Sequence, residues 1–133
     1  MNWPQRFIIL AIMLFLHIVD DYYLQGCLAQ LKQSKWWKEN YPDKMYTNDY
    51  QMALFEHAFS WSFVVTLPLL ILSIITENLA LTEIVLYSYF YNTSIHGFVD
   101  NLKANKKQIN LITDQTIHFG QIIITWVFFN LAI

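Results

Sequence analysis

The chain has 133 residues, 56% of them hydrophobic and 14% charged, with a formal net charge of −2. That length holds one small domain, and a near-neutral charge with no long run of one sign excludes nucleic acid as a partner. Three Gly and three Pro leave few helix breakers, so the composition is that of an all-α membrane protein.

The first element opens on Arg6 and the run FIILAIMLFL, then continues without a break into HIVDDYYLQ. No small-residue cleavage site follows, so it is read as a retained span and not a signal peptide. A spanning helix needs about 20 residues. Trp3 to Leu16 is too short for that, so the span must run through His17 and Asp21 to residue 25. An ionisable residue inside a span is a functional candidate by default. The lone cysteine, Cys27, supports neither an internal disulfide nor a thiolate metal site.

The stretch 28–48 is too polar to cross a bilayer. Leu28, Leu31, Lys32, Lys35, Trp36 and Lys38 suit an amphipathic helix lying in the headgroups, with Trp36 and Trp37 as anchors. Three more spans are predicted over 50–75, 79–102 and 110–131, the second kinked at Pro68. The expected architecture is therefore an integral membrane four-helix bundle with one interfacial segment, a single domain over 1–133. Seven of the eight basic residues fall between spans one and two or between spans three and four. The positive-inside rule puts those links in the cytoplasm and both termini outside.

The four histidines, His17, His57, His96 and His118, fall one to a span. Counted from the cytoplasmic ends at ~1.5 Å per residue, each lies on the order of 9–12 Å below that interface. His17 and Asp21, His96 and Asp100, and Asp114 and His118 are i, i+4 pairs, each on one helix face. Neutral imidazoles and carboxylates aimed at one point are what a metal requires, some as ligands and some orienting them. The predicted ligands are His17, Asp21, His57, His96, Asp100, Asp114 and His118. Zinc is the first candidate, as one or two ions. Asp20, about 100° around the helix from Asp21, is expected off the site, near the interface. Glu56 beside His57, or Asp21, is the candidate general base. Gln25, Lys103, Gln115 and Gln121 are expected to support the ligands.

Four blocks carry a resemblance: H-x-x-x-D-x-x-x-Q at His17, Asp21 and Gln25; the lone His57; H-x-x-x-D-x-x-K at His96, Asp100 and Lys103; and D-Q-x-x-H-x-x-Q at Asp114, Gln115, His118 and Gln121. Together they resemble a family of small bacterial and phage integral membrane proteins known only as a domain of unknown function. That resemblance implies a four-helix membrane architecture and no activity. A looser analogy is to membrane-bound metal-dependent hydrolases, including seven-span zinc hydrolases of the ceramidase and adiponectin-receptor kind.

The expected function is a metal-dependent hydrolase of the cytoplasmic membrane, acting on a lipid or membrane-delivered substrate from the cytoplasmic side, with membrane lipids as its surroundings. The alternatives are a metal-binding or ion-conducting bundle, which would need a homo-oligomer, and a structural protein, for example a phage-encoded one. The outer halves of the spans read as almost wholly apolar, which favours a one-sided site over a channel.

Overall fold

Asn2 starts the first helix with a reciprocal cap. Its side chain accepts from the Gln5 amide, and its own amide donates to the Gln5 side chain, each at 3.0 Å. That satisfies donors a helix start otherwise leaves open. In this computed structural model, which describes residues 1–133, the chain is all-helical. It forms α1 (Trp3–Val19), α2 (Leu28–Leu31), α3 (Ser34–Asn40), α4 (Asp49–Thr76), α5 (Leu79–Ala104) and α6 (Leu111–Leu131). Asn78 and Asn110 cap α5 and α6 through their side chains. The two-residue link Glu77–Asn78, with Glu77 at φ 50°, folds α4 and α5 into an antiparallel pair.

α1, α4, α5 and α6 close into an antiparallel ring, each packed on its chain neighbour and α6 returning to α1. At the closing seam Arg6 donates to the Asn130 side chain at 2.9 Å, and the Trp126 indole donates to the Arg6 carbonyl at 2.9 Å. α4 and α5 approach closely because the contact residues are small. A Cβ on Gly97 would lie 3.4 Å from Ala58 Cβ, and these two residues directly follow His96 and His57.

α4, α5 and α6 start and stop within two residues of the predicted spans, and the first helix reaches Leu24, one short of its predicted end, only by way of a π-turn beyond α1. Two stretches, Trp3–Leu24 and Lys44–Thr76, are long and apolar enough to cross a membrane. α5 and α6 have the length, 26 and 21 residues, but their polar residues dilute them below that level.

The interior is polar and the outside apolar. Of 28 buried residues, sixteen are polar or charged, while Phe7, Phe15, Phe63, Ile74, Phe90, Ile112 and many like them are exposed. A water-soluble domain sorts its residues the other way. An apolar core of Met13, Trp61, Val65, Leu69, Leu81, Val85, Ile122 and Phe129 runs from Trp61, beside the histidines, into the rest of the ring. The expectation of an almost wholly apolar outer half needs one correction. Ser62, Thr66, Ser73, Ser88 and Thr125 are buried there as well. Thr66 and Ser73 hydrogen-bond to carbonyls of their own helix, and fully buried Val65, Leu69 and Phe129 interrupt the series.

Two local departures from prediction shape the site. α1 does not end as an α-helix. It widens into a π-turn over Asp20–Leu24, with the Gln25 amide bonded to the Asp20 carbonyl at 3.1 Å. Gly26, at φ 49°, then reverses the chain, a conformation glycine adopts without a Cβ clash. The segment 28–48 is not one continuous helix. It is α2, α3 and a single 3₁₀ turn at Lys44–Tyr46. Asn105, at the end of α5, accepts from the Ser34 amide at 2.7 Å and donates to the Lys32 carbonyl at 3.0 Å. This stitch breaks the helix between α2 and α3. It turns Lys32, predicted to face headgroups, inward until it is 7% exposed.

Candidate metal centre

His57 and His96 face each other across the close α4–α5 contact, Nε2 to Nε2 at 3.1 Å. Two carboxylate oxygens complete the group. Asp21 Oδ1 is 3.3 Å from His57 Nε2 and 3.7 Å from His96 Nε2. Asp100 Oδ2 is 3.4 Å and 3.9 Å from the same two nitrogens. Ligands ~2.0–2.2 Å from a tetrahedral ion are themselves about 3.3–3.6 Å apart. The donor atoms of His57, His96 and Asp21 thus lie 3.1–3.7 Å apart, near the length a zinc-sized ion requires, while Asp100 meets both histidines and also groups with His96 and His118. All four residues are buried.

A second convergence adjoins the first. His118 Nε2 lies 3.4 Å from Asp100 Oδ1 and 3.5 Å from Asp114 Oδ1. The hydrogen-bond network assigns its protonation. The Gln121 amide NH2 donates to Asn92 through both its backbone and side-chain oxygens, each at 3.2 Å. Gln121 Oε1 therefore faces His118 Nδ1, 3.0 Å away, and that nitrogen must donate. In a neutral ring Nε2 is then a lone pair pointed at two carboxylate oxygens. That arrangement is repulsive unless a proton or a metal ion lies between them. His118 Nε2 and Asp114 Oδ1 are both buried without a hydrogen-bond partner.

His17, predicted as a ligand, does something else. The Trp61 indole, which can only donate, gives its N–H to His17 Nδ1 at 2.8 Å. The proton on His17 is therefore on Nε2, which donates to Gln115 Oε1 at 3.0 Å. The Gln115 NH2 in turn donates to Asp21 Oδ2 and Asp114 Oδ2, each at 3.1 Å. Both ring nitrogens are thus occupied, and His17 holds two carboxylates in place through Gln115. It stays beside the cluster, its ring 5.9 Å from that of His118.

Asp20 reverses its prediction. It is 1% exposed, accepts from the Ser60 hydroxyl at 3.1 Å, and places Oδ2 3.8 Å from His57 Nδ1. The π-turn is the reason. An i→i+5 turn advances each residue by less than the ~100° of an α-helix, so adjacent aspartates can both face inward. A carboxylate behind the far nitrogen of a ligating histidine orients the ring and raises its basicity.

Glu56 is also corrected as a candidate base. It is exposed and lines an outward pocket with Leu31, Trp37 and Asp49 that contains none of the cluster's residues. Gln25 folds back onto the Asp21 carbonyl of its own helix. Lys103 is paired with Asp114, as a supporting residue should be, and Gln121 orients His118.

The sequence reading missed Lys32, whose ammonium lies 2.5 Å from Asp100 Oδ2. It also missed Trp61, Ser60 and Asn92. Helical spacing could have found these three: Trp61 and Ser60 follow His57 by four and three residues, and Asn92 precedes His96 by four. Lys32 had no such signal, because its place depends on the Asn105 stitch.

Counting charges is informative. Asp20, Asp21, Asp100 and Asp114 are buried against two ammonium groups, Lys32 and Lys103. With neutral imidazoles the cluster is two negative charges in excess, which one divalent cation cancels. Buried charge left uncompensated is costly. An apolar cavity of about 320 Å³ between Ile84, Tyr87, Ser88, Tyr91, Thr125 and Phe128 holds no titratable group suited to chemistry at neutral pH. No family model, curated protein or solved structure matches the chain.

Proposed function

We propose that this protein is a membrane-embedded, metal-dependent hydrolase, with a divalent ion, zinc first, held by His57, His96, Asp21 and Asp100. The observation that carries this reading is the convergence of His57, His96 and Asp21, whose donor atoms lie 3.1–3.7 Å apart, with Asp100 Oδ2 3.4 and 3.9 Å from the two histidines. Such an ion lowers the pKa of bound water toward ~7 and so supplies hydroxide at neutral pH. The protein's own groups fix the geometry: Asp20 behind His57, Gln115 on Asp21, and Lys32 on Asp100.

Three features support a membrane setting for all four long helices. The ring has an apolar exterior around a polar interior. Its helices have the length to span, and two of them have the hydropathy. The basic links gather at the cluster's end. The bundle would then cross the cytoplasmic membrane with both termini outside and the site facing the cytoplasm, suited to a lipid or a membrane-delivered substrate. Conduction is the weaker reading, because Val65, Leu69 and Phe129 plug the ring beyond the cluster.

The test is elemental analysis of detergent-purified full-length protein, followed by a chelator-sensitive hydrolysis screen on ester, amide and phosphate substrates. At least one metal equivalent per chain is expected, with loss of hydrolysis on chelation and recovery on reloading. Protein that carries no metal, and takes up none on titration, overturns the proposal.

A further inference from the structure

We infer that the cluster is a two-metal centre whose substrate presents a phosphate group, with the second ion held by His118, Asp100 and Asp114. This rests on the metal reading above and names its substrate class. The two oxygens of Asp100 face different donor groups: Oδ2 lies 3.4 Å from His57 Nε2 and Oδ1 lies 3.4 Å from His118 Nε2. One carboxylate shared in this way bridges two ions, which in two-metal hydrolases sit about 3.5–4 Å apart. The second position has its own pointer. His118 Nε2 and Asp114 Oδ1 are buried, lack partners and lie 3.5 Å from each other, and Gln121 holds the proton on His118 Nδ1, leaving Nε2 as the nitrogen that faces the carboxylates.

The charge balance then names the ligand. Four carboxylates, two lysines and two divalent ions leave two positive charges in excess. A phosphate monoester carries close to two negative charges at pH 7 and cancels them. The opening has the matching chemistry. A polar cavity of about 150 Å³ reaches Asp21 between Gln25, Lys32, Lys103 and Gln115. A water needs about 10–15 Å³ of such space, so the cavity has room for a phosphate-sized group, and its polar lining suits one. Lys32 and Lys103 line it while each pairs with one carboxylate, Asp100 and Asp114, and an ammonium has three donors, so both keep donors for a phosphate. Tyr22 and Leu111, exposed at its rim, leave an apolar surface for the rest of a lipid ester. In the hydrolysis, water oxygen adds to phosphorus, the P–O bond to the alcohol breaks, and a proton passes from the water to the leaving oxygen. No oxidant or reductant is required.

The experiment uses the full-length protein in detergent, titrated with Mn²⁺. Metal content is read by elemental analysis and metal pairing by electron paramagnetic resonance. Inorganic phosphate and short-chain phosphatidate are then added in separate arms, and paramagnetic broadening of their ³¹P signals is measured. Two ions per chain with a spin-coupled signal are expected, together with ³¹P broadening that Lys103→Met weakens at least tenfold. Asp114→Asn should lower the stoichiometry from two to one. Broadening of phosphatidate alone assigns the phosphate to a lipid headgroup, and broadening of both assigns it to phosphate as such. A wild-type stoichiometry of one overturns the two-metal centre, whatever the folding of the variants. Two ions without phosphate broadening overturn the substrate class and leave the metal hydrolase standing. No ion at all overturns both.

Discussion

Asp20→Asn separates a residue that merely sits near the cluster from one that works through it. The substitution preserves shape and removes one charge. Asp20 Oδ1 keeps its 3.1 Å bond from Ser60, so the side chain stays in place. What changes is the atom 3.8 Å from His57 Nδ1. With metal on His57 Nε2, Nδ1 must carry a proton, and an amide NH2 there opposes a donor with a donor. Losing a partner of this kind typically weakens metal binding 10–100-fold, about 1.4–2.7 kcal/mol. Asp21→Asn removes a ligand outright and should exceed that range, while expression of both variants stays near wild type. Competition against a fluorescent zinc chelator in detergent measures both. Wild-type affinity in Asp20→Asn would refute the orienting role. Equal losses in Asp20→Asn and Asp21→Asn would refute the division into support and ligand.

Glu56→Gln should leave metal affinity and any hydrolysis within twofold of wild type, since the side chain is exposed and lines a pocket that contains none of the cluster's residues; a large loss in the chelator assay would return Glu56 to the site. Gly97→Leu should lower metal affinity more than tenfold by prying α4 from α5, because even a Cβ there comes within 3.4 Å of Ala58; unchanged affinity would mean the His57–His96 approach does not depend on that contact. Asn105→Ala should release the α2–α3 turn and speed amide exchange over residues 31–36, with the core of α4 unaffected, read by hydrogen–deuterium exchange. A membrane-impermeant thiol reagent on intact cells should spare exposed Cys27 and label a cysteine introduced by Ala80→Cys; the reverse pattern would turn the site outward.

The long helices were legible because composition and length constrain them tightly. A chain with so few breakers has few places to stop, and Asn78 and Asn110 mark two of the starts. The cluster was legible for a similar reason. Three i, i+4 pairs fix helix faces, and counting inward from the polar links fixes depth, so His57, His96, Asp100, Asp114 and His118 meet as expected. The misreadings share a cause. Asp20 was placed by assuming ~100° per residue, and the π-turn at Asp20–Leu24 breaks that assumption locally. Lys32 was placed by its own segment's pattern, yet its position depends on Asn105, 73 residues away. His17 was given a ligand role from its spacing alone. Its role depends on Trp61 and Gln115, which come from two other helices.

The inverted sorting of residues and the metal reading support each other. Exposed Phe, Ile and Leu around the ring are unfavourable in water but suit a lipid surround, which supplies no hydrogen bonds and little screening. In that surround four inward carboxylates cannot be neutralised by solvent. Lys32 and Lys103 neutralise two of them from the mouth, and the rest require cations delivered to the centre. The side chains there have the chemistry for it. Asp21 and Asp114 are each held on one oxygen by Gln115 and turn the other toward imidazoles. Asp100 turns both oxygens toward imidazoles. A network that served only to join helices would close its bonds internally, as Thr66, Ser73 and Thr93 do on their own helix carbonyls. This one leaves its donors converging on two points, and in the membrane setting proposed above unpaired polar atoms are costly, which is why we read the convergence as a metal site.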